Sequence, residues 1–439
     1  MIHIRQALFG CCFIAAFPVH AQSQAERLAQ MMSKNYAMQS LQSVMLGDLE
    51  GARNFALRAF PPDPTEQEAM ALPEAMFALE IAMGARIAHI DDEGTGLYSV
   101  DSTGTRAFAG FYDPRPEVNT QYVTPAIYDP RDGVLIGALE EVAASSSPEF
   151  SPEFSPDGKL LAYPTFPRAK VQLFSSEDGS LVRELTTDVS APFDWLVPVP
   201  LGFSADGSQY AYGYHHDRGG ILVWNVADGS LVSHLAAEGE GAETWVPLGW
   251  DHEGGFAVQK IINDTATGMV TNAGLERWSQ DGGKVMLSDL AGVIETVSLK
   301  SITFPGVPLV FMSDEMRLAA IDLETGAVRF TTEVEFPEIA LVRNGTAFAI
   351  RPFDIESLDD FQVFDLNGNR LQPTGRDLIP LAQAAVSRSG MIAAVPKNAT
   401  RHTYLGQDLP EGVALYNAVW DGLDEPTQQA INLDRVVRP

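Results

Sequence analysis

The chain has 439 residues, 45% of them hydrophobic, with 29 basic residues against 58 acidic ones and a formal net charge of −29. That is the composition of a folded chain, not of a disordered one. The acidic excess argues against nucleic acid, whose phosphates need a basic stripe, and against anionic membrane surfaces. It leaves a basic partner, a divalent cation or plain solubility as its meaning.

The first 21 residues read as a secretory signal peptide. A cationic stub carrying Arg5 precedes the apolar run Ala7 to Val19, which ends at Val19-His20-Ala21. The run is too short to cross a bilayer core, and no later segment is long and apolar enough to do so. Both cysteines, Cys11 and Cys12, lie inside this segment. The exported chain would therefore have no disulfide, thiolate metal site or cysteine nucleophile, which suits a periplasmic or secreted protein.

Residues 22–85 carry helical periodicity. Leu28, Met31, Met32, Leu41, Val44 and Met45 form one series, broken at Gly47-Asp48; Ala52, Phe55, Ala56, Ala59 and Phe60 form a second, ended by Pro61-Pro62-Asp63-Pro64. Thr65 and Glu68 have capping-box spacing. Pro73 suits the first turn of a last helix through Met76, Phe77, Leu79 and Met83. The methionines offer a flexible groove for a partner, or plain packing against the domain that follows. The stretch around Leu46-Gly47-Asp48 and Ala56 to Pro61 resembles one TPR-like helical hairpin. Residues 40–90 resemble the helical connector ahead of the WD40 repeats in bacterial NTPase–WD40 proteins, although the chain has no phosphate-binding G-x-x-x-x-G-K-[ST].

From residue 86 the pattern changes to short β runs cut by turns. Phe154-Ser155-Pro156-Asp157-Gly158 and Phe203-Ser204-Ala205-Asp206-Gly207 each lead from a strand into an Asp-Gly turn and on into a strand. Leu173-Phe174 with Asp178-Gly179-Ser180-Leu181-Val182, and Val223-Trp224-Asn225-Val226 with Asp228-Gly229-Ser230-Leu231-Val232, repeat a second such motif. These motifs resemble WD40 repeats, and the resemblance implies four antiparallel strands per unit. Glycines of the first turn recur at 104, 158, 207, 254, 345 and 390, with a double step between 254 and 345. Those of the second recur at 133, 179, 229, 283, 326 and 368. The second series fills the gap through Ile321-Asp322-Leu323-Glu324-Thr325-Gly326. Together they count seven units, against eight with a hidden divergent blade. The expectation is a mainly β chain: a seven-bladed WD40-like β-propeller over 86–439, preceded by a short α-helical hairpin segment. Only Trp224 stands clearly at the family's tryptophan position, and Asp217 where the family has its turn aspartate, so blade rigidity must come mostly from apolar packing. Arg86-Ile87-Ala88-His89-Ile90 is expected to close the ring beside Val413-Ala414-Leu415-Tyr416, because an open sheet edge is a liability.

No motif for catalysis stands out. There is no G-x-S-x-G elbow, though a dispersed Ser-His-Asp triad has no sequence order to find. Asp91-Asp92-Glu93-Gly94 lacks the alternating ligands of a calcium loop. His215-His216-Asp217 falls at the turn between the second and third strands of a unit, and adjacent residues on a strand point to opposite faces, so no metal or cofactor is expected. The prolines of the tandem Ser147-Pro148-Glu149-Phe150 and Ser151-Pro152-Glu153-Phe154 mark a lengthened entry into the second unit. Two inter-unit loops are the most informative: Phe193-Asp194-Trp195-Leu196-Val197-Pro198 and Thr244-Trp245-Val246-Pro247-Leu248. Both precede a first strand and emerge on one face, where large aromatics make natural contact residues; the WD40 resemblance equally allows such a tryptophan to pack between blades. Asp194, Trp195, Trp245 and His215 are thus the candidate partner-binding residues of a monomeric, exported, non-catalytic interaction scaffold. The alternative is a propeller that binds a small ligand or a divalent cation in an acidic central channel.

Overall fold

The computed structural model describes residues 24–433 apart from 47, 71, 90–94, 102–104, 114–120, 131–132, 140–141, 145–151, 166–169, 188–196, 216–218, 238–242, 265–268, 289–292, 294–299, 305, 315, 335–337, 352–361, 372–384, 387–392, 399–400 and 406–411. The expected signal peptide, the acidic stretch 91–94, Asp194, Trp195 and Asp217 lie outside the described residues. So do the turn glycines Gly104 and Gly390.

Four helices come first: α1 (Gln24–Leu46), α2 (Leu49–Arg58), α3 (Glu66–Met70) and α4 (Pro73–Gly84). Their ends follow the local chemistry. Asp48 caps α2, its Oδ1 accepting the Gly51 N–H at 2.8 Å. Thr65 and Glu68 form the reciprocal box ahead of α3, with Thr65 N–H donating to Glu68 Oε2 at 2.8 Å and Glu68 N–H to Thr65 Oγ1 at 3.3 Å. Pro73 opens α4, where its missing N–H costs nothing.

These helices do not bury their apolar face alone. The last segment of the chain forms α5 (Gly412–Asp421) and α6 (Glu425–Leu433). Leu415, Tyr416, Val419 and Ile431 join Ala52, Ala56, Leu57, Phe60 and Leu79 in one buried cluster. The Phe60 and Tyr416 rings meet edge-on at 5.5 Å, and the Val413 N–H donates to Glu66 at 3.2 Å. The strand expected at 413–416 is therefore a helix. Val413, Tyr416, Val419 and Trp420 lie at helical spacing, and a short apolar run alone does not separate strand from helix. It follows that the β region ends with Leu405 and that both ends of the chain build one helical module.

Between α4 and α5 the described residues are mainly β, in six four-stranded antiparallel sheets and one in which five strands pair. In chain order, sheet 1 runs from Thr95 to Ala144, sheet 2 from Glu153 to Leu185, sheet 3 from Val197 to Ala236 and sheet 4 from Glu243 to Ser288. Sheet 5 runs from Lys300 to Glu333 and sheet 6 from Glu338 to Leu371. Sheet 7 orders Ala385–Val386, Arg401–Leu405 and Ala85–His89 around Ala393–Asn398. Each of sheets 2 to 6 is a meander whose strands pair in sequence. The extra strand of sheet 1 is its fourth strand broken in two, Leu135–Ala138 and Val142–Ala144, both paired with Gln121–Tyr128. The break faces Pro125: Leu139 donates to the Pro125 carbonyl at 2.8 Å, and proline has no N–H to return.

The first strand of sheet 1 packs on the Ala385–Val386 and Ala393–Asn398 strands of sheet 7, so the last sheet meets the first, as in a β-propeller. The closing strand is Ala85–His89, registered on the outside of Arg401–Leu405 from Ala85 opposite Leu405 to His89 opposite Arg401. The closing segment is the expected one and its partner is not, since 413–416 is helical.

The turn glycines do what their backbone requires. Gly158, Gly179, Gly207, Gly229, Gly254, Gly326, Gly345 and Gly368 all have φ between +71° and +84°. The missing first turn of the fifth unit is Phe304 to Val307, where Val307 N–H donates to Phe304 C=O at 2.9 Å and Gly306 has φ +82°. In the fourth unit Gly282, not Gly283, takes the positive φ, at +89°.

Contacts between sheets change character along the chain. Trp224 of sheet 3 donates to the Thr186 carbonyl just after sheet 2 at 2.8 Å, and Trp250 of sheet 4 to the Gly202 carbonyl of sheet 3 at 2.9 Å. Arg183 of sheet 2 spans the carbonyls of Ala227 and Asp228 in sheet 3 at 2.9 and 2.8 Å. Between sheets 5 and 6 the contact is aromatic instead: Phe330 stacks on Phe348 at 5.3 Å and on Phe364 at 5.1 Å, and Phe311 meets Phe348 at 4.7 Å.

Replacing residues 86–90 with a Gly-Ser segment of equal length removes the outer strand of sheet 7 while keeping the connection to α4. The expected outcome is a thermal transition lowered by several degrees or more in calorimetry. An unchanged transition would show that this pairing does not hold the ring.

Candidate functional site

In an antiparallel meander the first and third turns of a sheet lie at one end, and the second turn lies at the other with the connector to the next sheet. Of the candidate residues, His215 and Trp245 are described, and both fall at this second end. Val197, the first residue of sheet 3, pairs with His215, the last residue of the second strand. In sequence, Asp194 and Trp195 lie three and two residues before Val197. The Glu243–Trp250 strand of sheet 4 starts from the same end and packs on the Gln209–His215 strand.

The junction is close. Gly219 has φ +85°, and a Cβ there would sit 2.0 Å from the Trp245 carbonyl oxygen. The turn after His215 thus lies directly on the strand carrying Trp245, which only glycine allows.

Trp245 itself is not on a loop and not on the surface. It lies inside the Glu243–Trp250 strand and is 5% exposed. Its Nε1 donates to Glu276 Oε2 at 3.0 Å, and the Trp278 Nε1 donates to the same oxygen at 2.8 Å. Lys260 lies 5.3 Å from the Trp245 ring centroid and 2.7 Å from Glu243, and Lys284 lies 4.3 Å from the Trp278 centroid. Charges and rings therefore alternate across sheet 4 in the order Glu243, Lys260, Trp245, Glu276, Trp278, Lys284. A buried carboxylate needs donors, and two indoles supply them. Trp245 is thereby corrected from an exposed contact residue to a packing residue between sheets 3 and 4. The alternation Glu276-x-Trp278 puts both side chains on one face of a strand and was the readable half of this arrangement. Nothing in the sequence joined Trp245 to it.

Beside His215, the Tyr214 hydroxyl and His234 Nε2 are 2.7 Å apart. Burial raises the Tyr214 hydroxyl above the usual tyrosine range and lowers His234 below the usual histidine range, so the neutral pair is favoured.

At the opposite end, the acidic residues are committed to turn geometry. Asp206 is held below its ordinary range by the Ser204 hydroxyl, then by the backbone and hydroxyl of Ser208. Asp178 is lowered first by the Ser180 backbone N–H and then by its hydroxyl. At Asp322, burial would raise the pKa. The Arg329 guanidinium and the hydroxyl and N–H of Thr325 outweigh it and bring it to about 2. Among the described residues no three or more His, Cys, Asp or Glu side chains converge as metal ligands, and no helix is long and apolar enough to cross a membrane.

No family model and no curated protein matches this sequence. Among solved structures the fold is similar to the crystal structure of BamB from Moraxella catarrhalis. That match has 14% identity and a TM-score of 0.39, and covers 73% of this chain and 96% of that one. At that identity and superposition the likeness assigns no activity.

Two outcomes follow. Glu276→Ala leaves two buried indole N–H groups without their acceptor and is expected to cost about 2–4 kcal/mol in denaturant titration, whereas Glu276→Gln, which keeps an acceptor oxygen, costs clearly less. Equal losses would deny the indole pair its role. For Asp322, the folded pKa of about 2 lies below the ordinary 3.8. Its stabilisation is complete above the higher value and is lost as pH falls through the lower one. The gap in melting temperature between wild type and Asp322→Asn should be constant above about pH 4 and narrow towards pH 2. A gap independent of pH in that window would contradict the assignment.

Proposed function

We propose that this chain is an exported, non-catalytic scaffold of the cell envelope, a seven-bladed WD40-like propeller that presents a protein-binding surface at the second-turn end of its sheets. The observation that supports this most is the inequality of the two ends. At one end the turns are uniformly short, for example 204–208, 226–230, 251–255 and 323–327. At the other, connectors between sheets run to 186–196, 289–299 and 372–384 and the second turn of sheet 6 to 352–361, beside short segments such as 216–219 and 334–337. A rigid scaffold with short turns on one side and long, variable connectors on the other has the layout in which binding residues sit on loops. These connectors carry large apolar side chains in sequence, among them Phe193, Trp195, Ile294, Phe353, Phe361 and Leu378. That is the composition of contact centres rather than of plain solubilising loops. The first 21 residues support export, and the burial of Trp245 moves the weight of the candidate site onto Asp194, Trp195 and His215.

The test is a paired one. Trp195→Ala with Asp194→Ala should abolish cross-linking of a specific protein from envelope extracts. Asp206→Asn with Asp228→Asn, at the other end, should leave it intact; both variants should keep the wild-type circular dichroism spectrum, and only the second, whose aspartates accept turn hydrogen bonds, should lower the melting temperature. Retention by the first pair, or loss by the second, would move the binding surface elsewhere.

A further inference from the structure

We propose that α1 pairs in parallel with α1 of a second copy of this chain. The helix is inverted relative to one that serves only its own chain. The side turned to α2 and α4 carries the small residues Ser33, Ala37, Ser40 and Ser43, all buried, and the Ser40 hydroxyl donates to the Ala52 carbonyl at 2.8 Å. The opposite side carries Leu28, Met31 and Met38, which are 59%, 69% and 50% exposed. Singly exposed apolar residues are ordinary, but these are not scattered. Positions 28, 31, 35, 38, 42 and 45 step alternately by three and four, the spacing of the seam in a two-stranded coiled coil. They hold Leu, Met, Asn, Met, Gln and Met.

Three observations select a copy of the same helix as the occupant. A seam of this period fits a second helix with the same period. An asparagine at an inner position, here the exposed Asn35, is the attested device for fixing register in a parallel pair, at a cost in stability. The charges also permit it. At −29 the chain repels its copy over most of its surface, yet from Arg27 to Gly47 there is no Asp or Glu. Arg27 and Lys34 lie on one flank of the seam. In a parallel pair they face Met32 and Gln39 of the copy; in an antiparallel pair they would face one another. Lys34 is in addition bound to Glu74 of α4 at 2.8 Å. From Arg27 to Met32 no side chain is fully buried and only Ala29 and Met32 are half-buried, and a helix so thinly covered is marginal in water. A second α1 supplies the missing cover.

The experiment uses the chain from Gln22 onward, which contains every described residue and neither cysteine. Sedimentation velocity over micromolar to submillimolar concentrations should show a reversible monomer–dimer equilibrium. Leu28→Glu with Met31→Glu should weaken it by about tenfold or more with unchanged circular dichroism, since both side chains already face solvent. Leu28→Cys should form a covalent dimer under mild oxidation, because only a parallel pair places position 28 opposite itself. A monomeric mass at every concentration, a dimer indifferent to the double substitution, or no cross-link at position 28 would each overturn the proposal; a partner of another kind on this face would give the first of these.

Discussion

Every sheet in this chain has two faces to bury and two edges to manage, and the arrangement depends on meeting both demands in a ring. The faces are buried where sheet packs on sheet: described contacts join sheets 1 and 2, 3 and 4, and 4 and 5, apolar clusters span sheets 2 and 3 and sheets 5 and 6, and the last sheet meets the first. The outermost position of sheet 7 is filled by the strand Ala85–His89, which comes from the far end of the sequence. This pairing joins residues from opposite ends of the β region and so orders a very long loop. Loop closure grows only slowly with length, so a five-residue antiparallel pairing is enough to repay it. The helical module repeats the logic one layer out: α5 and α6 return to the cluster built by α1 to α4, so the first and last described helices are fastened to one another.

How neighbouring sheets hold one another explains why some repeats read clearly and others do not. Sheets 2, 3 and 4 use groups that need fixed geometry, with indole N–H groups and a guanidinium aimed at the carbonyls of the adjoining sheet. Such contacts tolerate few residue types at few positions. Sheets 5 and 6 use stacked phenylalanines, and apolar packing accepts many residues of similar size. The motifs weaken in the sequence where the chemistry of the contact becomes permissive.

The same distinction separates what was legible from what was not. Asp-Gly turns announce themselves because a positive φ leaves few alternatives to glycine, and most of the turn series was readable residue by residue. The turn at Gly306, which has a positive φ, escaped because no Asp-Gly pair marks it in the sequence. The segment Val413 to Tyr416 was legible as apolar but not as helical, since four residues do not fix a period. The candidate site was legible only in part. Sequence order puts Asp194 and Trp195 shortly before Val197, and strand pairing sets His215 opposite Val197. Whether a tryptophan is offered or buried depends on partners remote in sequence, and for Trp245 the deciding partner is Glu276.

The placement of charge bears on which partner the long-connector end would accept. The net charge of −29 invites the idea of a basic partner. Yet Asp157, Asp178, Asp206, Asp228, Asp281 and Asp365 all stand in first or third turns, each accepting hydrogen bonds from a hydroxyl or backbone N–H within its own turn. An Asx-type turn needs an acceptor there, so a repeat built on Asp-Gly turns accumulates negative charge at one end whatever it binds. That charge lies at the end opposite the long connectors and falls off within about a Debye length, roughly 8 Å at physiological salt. Part of the acidity thus records how the turns are made. If the other end binds a partner, as proposed, recognition there falls to the apolar and aromatic residues in the sequence of the connectors, and such a partner has no need to be basic.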